Sequence, residues 1–183
     1  MNIYDFDDCI YDGDSGVDFV IFSLKKYPFK VLKSVFKTIP LLFKRASVKE
    51  LKEKLFEYVT KLDSLEEITN EFAEKYQYRI KGWYQMQRKD SDVIISASFD
   101  FYLIPLCNKL NLKNVICTNY NMKTGKIIGN NCKGPEKIER LKKHHDINKV
   151  KLAYSDSLSD IPMFEIAETG YIVKKNDLIE YQQ

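Results

Sequence analysis

Short apolar segments at five places most strongly constrain the fold of this 183-residue chain. They occupy residues 2–6, 93–96, 114–118, 151–154 and 170–173. Each has the length and composition of a buried β-strand. Between the later strands lie helical patterns at 99–110, 135–144 and 159–168. Because parallel strands need long crossover connections and carry helices on both faces, this alternation predicts an α/β fold with a Rossmann-like parallel sheet.

The segment between the first two predicted strands has a different character. Residues 15–88 carry helical periodicity, many aromatic side chains and little strand pattern. Ser47 and Glu50 form a capping-box pattern before one helix, and we expect Pro28 and Pro40 to mark helix breaks. We therefore predict a core formed by residues 1–14 and 89–183, with a helical cap inserted at 15–88.

Composition and cysteine spacing exclude several classes of protein. With 44% hydrophobic residues the chain can bury a core. Its four cysteines form no C-x-x-C pair, which argues against a zinc knuckle or a disulfide framework. No signal-peptide pattern is present, and lysines interrupt the apolar residues of 17–43 every few positions. We expect a cytoplasmic protein.

Polar residues collect where four of these elements end or begin. In a parallel sheet, ligands bind beyond the carboxyl ends of the strands, so these residues are candidates for one shared site. They are Asp5, Asp7 and Asp8 after the first strand, Ser96, Ala97 and Ser98 after the second, Lys133 and Lys137 at the helix beginning near 135, and Ser155, Asp156, Ser157 and Asp160 after the fourth strand.

These stretches resemble the motifs of the haloacid dehalogenase superfamily of phosphohydrolases. YDFDDCIYDGDS resembles its D-x-D-x-T motif, IISAS its strand-end Ser or Thr motif, NCKGPEKIERL its lysine motif and YSDSLSDIPMFEIA its acidic motif. They occur in the family's order and cover nearly the whole chain. The helical insertion after the first motif is similar to that of the phosphoserine-phosphatase-like branch. The resemblance implies a phosphatase acting on a phosphorylated small molecule.

The resemblance also implies how the acidic residues divide the chemistry. Asp5 is expected to be the nucleophile that forms an aspartyl-phosphate and a ligand of Mg²⁺. Asp7 is expected to act as general acid and base and to give its backbone carbonyl to the metal. Asp156 supplies a further carboxylate, and Asp160 supports or completes the metal site. A bound divalent cation would offset the mutual repulsion of these carboxylates.

Phosphate binding is expected from a hydroxyl, backbone N–H groups and a lysine. Ser96 would give the hydroxyl, and Ala97 the backbone N–H. Lys137 is the favoured lysine because G-P-E-K resembles the branch that carries it there. Lys133, which precedes Gly134, is the alternative. The first motif departs from the family pattern at Asp8 and Cys9, where glycine and threonine are usual, so metal affinity or rate is expected to be altered.

Charge is distributed unevenly although the net charge is only +3. Residues 15–88 hold 15 Lys or Arg against 9 Asp or Glu. The favoured interpretation of the stretch at 25–45 is a cap helix that buries one face and solvates its lysines. The alternative is a basic amphipathic helix resting on anionic lipid, which would make a lipid phosphate a candidate substrate. No nucleic-acid recognition module accompanies the charge, so we expect no nucleic-acid partner.

A second hypothesis belongs to another functional class. The chain could keep the fold without turnover, as an anion-binding or membrane-surface-associated protein. The presence of both Asp5 and Asp7 argues against this hypothesis, because a binding protein has no need of a paired nucleophile and acid.

Overall fold

A computed structural model describes residues 1–182, and its centre is a six-stranded sheet. The strands are β1 (Asn2–Tyr4), β2 (Val93–Phe99), β3 (Val115–Thr118), β6 (Leu152–Ser155), β7 (Thr169–Lys174) and β8 (Asp177–Tyr181). Their spatial order is β3-β2-β1-β6-β7-β8, with β8 antiparallel to β7 and all other pairs parallel. A separate antiparallel hairpin is made of β4 (Tyr120–Asn121) and β5 (Lys126–Ile127).

Eight α-helices surround the sheet within the described residues. Five follow β1: α1 (Ser15–Lys26), α2 (Pro28–Phe43), α3 (Val48–Leu55), α4 (Leu65–Tyr76) and α5 (Gly82–Gln87). Three alternate with the later strands: α6 (Asp100–Lys109), α7 (Pro135–Leu141) and α8 (Ile161–Glu165). Short 3-10 turns occupy Phe56–Lys61, Gln77–Arg79, Ile147–Lys149 and Leu158–Asp160.

Alternation along the strands divides the core into two apolar clusters. Ile3 belongs to the cluster that also holds Met163 and Phe164 of α8, whereas the next residue, Tyr4, belongs to the cluster that contains the cap. Successive side chains of a strand point to opposite faces, so each strand contributes to both clusters. The sheet is therefore covered on both faces, as a parallel sheet requires.

The cap packs directly on the core and shares one apolar cluster with it. Phe19 of α1 stacks on Tyr102 of α6, with ring centroids 5.1 Å apart, and Phe72 of α4 meets both rings edge-on. Such aromatic contacts bury large areas with defined geometry. Packing of this kind fixes the position of α1, and α1 in turn forms one wall of the site described below.

The predicted α/β fold with a parallel sheet is confirmed, and the differences lie in details. Strand β2 runs three residues further than expected, to Phe99. Pro28 is the first residue of α2, but Pro40 lies inside α2, so the expected break there was wrong. No pattern in the sequence predicted β8, whose side chains are mostly exposed at the edge of the sheet. Edge strands need no alternating apolar pattern.

The cap helices α1 to α5 all lie between Ser15 and Gln87, inside the segment expected to be inserted. None of the helices within residues 1–182 combines the length and the apolar character that crossing a bilayer requires.

Candidate active site

A cavity of about 470 Å³ lies at the carboxyl ends of β1, β2 and β6, between the sheet and the cap. Its lining includes most of the residues singled out from the sequence, namely Asp5, Asp7, Ala97, Lys133, Lys137, Asp156 and Asp160. Chain segments that are far apart in sequence therefore meet at one edge of the sheet, as the topology of a parallel α/β fold predicts.

Asp5 and Lys137 form a buried ion pair at the bottom of the cavity. Lys137 Nζ lies 2.7 Å from Asp5 Oδ1 and donates a hydrogen bond to Asp160 Oδ2 at 2.6 Å. Lys137 is 1% exposed and Asp160 2%. Burial alone would lower the pKa of Lys137, but the charges of Asp5 and Asp160 raise it above its usual value. Lys137 is thus held as a cation beside Asp5.

Asp160 is engaged in orienting Lys137. Its Oδ2 accepts hydrogen bonds from both Lys137 and Ser155 Oγ, at 2.6 and 2.8 Å, while Oδ1 has no partner within the described residues. A carboxylate that is committed to a lysine in this way is a weaker candidate for a metal ligand than the sequence suggested. Asp160 was expected either to support the metal site or to complete it as a ligand. The geometry favours the supporting role.

The two lysines of the lysine motif occupy different environments. Lys137 lies in the first turn of α7 with its amine inside the site, whereas Lys133 is exposed at the cavity rim. Gly134 between them has φ +57°, and a Cβ there would approach the backbone oxygen of Ser159 to 3.1 Å. This close approach is easiest for glycine. It brings the lysine motif against the acidic motif.

Asp7 is held by two donors from different parts of the chain. The backbone N–H of Ser15 donates to its Oδ1 at 2.6 Å, and the hydroxyl of Ser98 donates to its Oδ2 at 2.5 Å. Burial raises the pKa of Asp7 to about 6, against the lowering effect of these two hydrogen bonds. A carboxyl group with a pKa near neutrality is suited to exchange protons in both directions.

The hydroxyl that faces the cavity is not the expected one. Ser96 is 1% exposed, and its Oγ accepts a hydrogen bond from the backbone N–H of Ser98. It does not line the cavity, whereas Ala97 and Ser98 do. Because β2 continues to Phe99, Ser96 lies inside the strand, and Ser98 lies nearer to the carboxyl end where the cavity is. The sequence pattern placed the strand end too early and gave the role to Ser96 rather than to Ser98.

Asp8 and Cys9, the two departures in the first motif, have clear structural settings. Asp8 has φ +54°, the left-handed region in which the family's usual glycine is free of strain and aspartate is tolerated. Its backbone oxygen accepts a hydrogen bond from Lys81 Nζ, which also donates to the oxygen of Lys175. Cys9 is fully buried, and burial raises the pKa of its thiol well above the usual value. Lys81 thereby ties the end of the cap segment to the loop that carries Asp5 and Asp7.

Asp156 contributes the second carboxylate that faces Asp5. Burial and the neighbouring Asp5 raise the pKa of Asp156 to about 7. Burial likewise raises the pKa of Asp5, against the opposing charge of Lys137. In both groups burial disfavours the charged form, and a bound cation would offset that penalty.

The donor set fits a hard divalent cation that keeps much of its hydration. Among residues 1–182 no three Asp, Glu, His or Cys side chains approach closely enough to form a complete chelating group. Mg²⁺ does not need one, because it is commonly held by one or two carboxylates with waters and a substrate phosphate. Asp5 and Asp156, with the backbone carbonyl of Asp7, would be sufficient.

Lys52 of α3 is a site residue that the sequence did not reveal. Its Nζ donates to the backbone oxygen of Ala97 at 2.6 Å and to Asn131 Oδ1 at 3.1 Å, and it lies 4.8 Å from the ring centroid of Phe99. Burial lowers the pKa of Lys52 to about 8, partly offset by the charge of Asp7. The cap therefore places a second cation over the cavity floor.

The outer wall of the cavity is apolar, in contrast to its floor. The cap supplies this wall through six side chains, Val17, Val20, Ile21, Val48, Leu55 and Phe56. The floor carries charged and hydrogen-bonding groups, and the wall above it is apolar. This combination matches a ligand that has a charged group at one end and a carbon-rich group at the other.

Several solved structures share the fold of this chain. A protein of unknown function from Bordetella pertussis Tohama I superposes with a TM-score of 0.74 at 14% identity, covering 93% of this chain and 87% of that chain. A phosphoserine phosphohydrolase-like protein from Francisella tularensis gives 0.54 at 19% identity, covering 93% and 86%. The probable phosphoserine phosphatase from Vibrio cholerae gives 0.60 at 17% identity, covering 92% and 55%.

Sequence comparison leads to the same family. No protein of curated function matches the chain significantly. The sequence does match the haloacid dehalogenase-like hydrolases over residues 3–165, a span that begins in β1 and ends with α8 and so includes all four motifs. The chain belongs to the haloacid dehalogenase-like hydrolase family.

Proposed function

We propose that this protein hydrolyses phosphate monoesters through an aspartyl-phosphate formed on Asp5, with Mg²⁺ as its metal. The observation that carries the proposal is the arrangement of two carboxyl groups, in which Asp5 is paired with Lys137 and Asp7 is held by Ser15 and Ser98. Family membership and the phosphatase names of two structural neighbours support the same reaction.

In the first half-reaction an Asp5 carboxylate oxygen attacks phosphorus and the ester P–O bond breaks. The departing oxygen takes the proton of the Asp7 carboxyl group. In the second half-reaction Asp7 removes a proton from water, the water oxygen attacks phosphorus, and the acyl-phosphate bond breaks to restore the Asp5 carboxylate. Inorganic phosphate and the alcohol are the products.

Charge compensation is the main requirement of phosphoryl transfer. Lys137 supplies a fixed cation beside Asp5, and Lys52 supplies another from the cap. A divalent cation held by Asp5, Asp156 and the carbonyl of Asp7 would neutralise phosphate oxygens and the carboxylates together. The backbone N–H of Ala97, which lines the cavity, would help to orient the phosphate, while the hydroxyl of Ser98 holds Asp7.

The apolar wall narrows the class of substrate. Side chains such as Val20 and Leu55 offer no partner to a highly polar leaving group, and they favour one with hydrocarbon or aromatic surface. We therefore propose a phosphate monoester of a partly apolar molecule, which includes a lipid phosphate, over a small zwitterion such as phosphoserine.

Hydrolysis of an aryl phosphate with Mg²⁺ tests the reaction. We expect turnover by the wild type, none above background with Asp5→Asn, and unchanged turnover with Asp90→Asn as the matched control, because Asp90 is exposed and outside the cavity. Phosphoserine should be a poorer substrate than phosphate esters of longer alcohols. Absence of turnover with every divalent metal, in a folded sample that still binds inorganic phosphate, would favour the non-catalytic anion-binding hypothesis.

A further inference from the structure

Helix α2 carries an apolar face that nothing covers within residues 1–182. Phe29, Leu32, Phe36, Ile39 and Phe43 recur every three or four residues, so they line one side of the helix. We call these five residues the apolar stripe. Phe29, Phe36 and Phe43 are 86%, 67% and 84% exposed.

The stripe is not the face by which α2 joins the cap. Val31 and Ser34 are the buried residues of the helix, and they lie on another side of it. α2 packs there against α1, α3 and the turn at Phe56–Lys61. A helix that already has a buried face gains nothing in folding from a second apolar face exposed to water. A contiguous exposed apolar surface of this kind marks an interaction site.

The charge around the stripe has a single sign. Residues 19–49 contain eight Lys or Arg and no Asp or Glu. Some of these cations form ion pairs with carboxylates elsewhere in the cap. Lys26 pairs with Glu71, and Lys37 pairs with Glu57. Four exposed ones, Lys25, Lys33, Lys44 and Arg45, form no ion pair with any described residue.

Three of the unpaired cations lie beside the stripe. Lys33 comes four residues after Phe29 and three before Phe36, so the helical repeat places it at the edge of the stripe. Lys44 and Arg45 follow Phe43 directly at the end of the helix. Large apolar side chains bordered by long basic ones are the pattern of a helix that lies in a membrane interface, with lysine amines reaching the headgroups.

We propose that α2 docks on an anionic lipid bilayer, with the apolar stripe in the headgroup and acyl boundary and the unpaired cations on lipid phosphates. Charge decides between this occupant and a second copy of the chain. In a dimer joined through the stripe, the unpaired cations of one copy would lie close to those of the other, and they would repel each other. An anionic bilayer offers both the apolar layer and the opposite charge.

Docking by α2 would bring the cavity close to lipid. α2 packs on both α1 and α3, the helices that supply most of the apolar wall. Val48, an exposed residue of that wall, follows Phe43 after a connection of four residues. The inference goes beyond the proposed hydrolysis, and the binding test below needs no turnover, so either can fail without the other.

Flotation with liposomes tests the proposal. The full chain is mixed with phosphatidylcholine vesicles, with or without about one third phosphatidylglycerol, and the bound fraction is measured at low and high salt. The stripe variant is Phe29→Ser, Phe36→Ser, Phe43→Ser. The matched control is Tyr78→Ser, Met86→Ser, which removes two exposed side chains of the cap, 71% and 85% exposed, away from α2.

We expect wild type and control to float with anionic vesicles, less at high salt, and neither to float with neutral ones. The stripe variant should bind at least about tenfold more weakly while keeping its circular dichroism spectrum and melting temperature. Lys25→Gln, Lys33→Gln, Lys44→Gln should weaken binding at low salt, whereas Lys142→Gln, Lys143→Gln, Lys151→Gln should not.

Three results would overturn the proposal. The first is no flotation of the wild type at low salt, and the second is equal flotation of wild type and stripe variant. Sedimentation equilibrium supplies a third: a wild-type dimer that the stripe variant lacks, without vesicle binding, would assign the stripe to a second copy of the chain.

Discussion

Lys137 Nζ lies 2.7 Å from Asp5 Oδ1, at the point where β1 ends and α7 begins. Because Lys137 is also bound to Asp160, its amine is fixed from two sides. Asp5 is thereby kept beside a permanent cation in a buried place where an unpaired carboxylate would tend to take up a proton. The pair links the charge state of the proposed nucleophile to the position of a single lysine.

Replacing Lys137 should affect both stability and activity. Lys137→Met leaves Asp5 and Asp160 buried without their cation, which typically costs about 3 kcal/mol or more when one partner of a buried pair is removed. We expect a lower free energy of unfolding in urea at pH 7 and at least about a hundredfold loss of kcat. Lys133→Met is the control for the other lysine of the motif and should leave stability unchanged, because Lys133 is exposed. A larger loss of activity with Lys133→Met would reverse our assignment.

Ser98 should matter to the rate through Asp7. Its hydroxyl donates to Asp7 Oδ2, so Ser98→Ala removes one of the two donors that hold the proposed acid and base. We expect kcat to fall about tenfold, while Ser98→Thr, which keeps the hydroxyl, should retain most activity. Steady-state kinetics on an aryl phosphate checks this. If Ser96→Ala lowered the affinity for inorganic phosphate and Ser98→Ala had no effect on kcat, the originally expected hydroxyl would be the correct one.

Lys52 should make phosphate binding depend on pH. Burial lowers its pKa to about 8, so its charge is present below that pH and is lost as the pH rises through it. We expect the affinity for inorganic phosphate, measured by calorimetry, to fall above pH 8 in the wild type. With Lys52→Arg the cation persists, and this part of the decline should disappear. Identical profiles for the two proteins would show that Lys52 does not contact the anion.

Glu57 should stabilise the cap in a pH-dependent way. Hydrogen bonds and ion pairs with Lys54, Lys37 and Lys61 lower its pKa from 4.5 to about 2. Because the pKa is lower in the folded state, this stabilisation is complete above pH 4.5 and is lost as the pH falls towards 2. The group is partly solvated, so we expect only about 1 kcal/mol. The free energy of unfolding in urea should fall less between pH 6 and pH 3 in Glu57→Gln than in the wild type. Equal pH effects would contradict the assignment.

The parts of this site that were predictable from the sequence are those attached to strand ends. These positions are Asp5, Asp7 and Asp156, which follow strands, and Lys137, which lies in the first turn of α7. Parallel topology alone brings such positions together. Lys52 and Lys81 were not predictable, because their positions depend on how cap helices pack on the core. The hydroxyl was assigned to Ser96 rather than to Ser98 because the predicted strand ended three residues too early.

The surface of α2 is another part of the structure that depends on packing and could not be predicted from the sequence. The sequence showed a basic, aromatic segment, for which a cap helix with solvated lysines was the favoured interpretation. Periodicity alone did not reveal which apolar residues would be buried. Only the packed structure distinguishes Val31, 1% exposed, from Phe36, 67% exposed, on the same helix.

The proposed covalent step on Asp5 can be observed directly. Acid quenching during turnover of an aryl phosphate with Mg²⁺, followed by peptide mass spectrometry, should find one phosphoryl group on the peptide that contains Asp5. The group should be released by hydroxylamine and absent in Asp5→Asn. Steady hydrolysis by the wild type with no phosphoryl group on that peptide, or undiminished hydrolysis by Asp5→Asn, would contradict the central claim that Asp5 is the nucleophile.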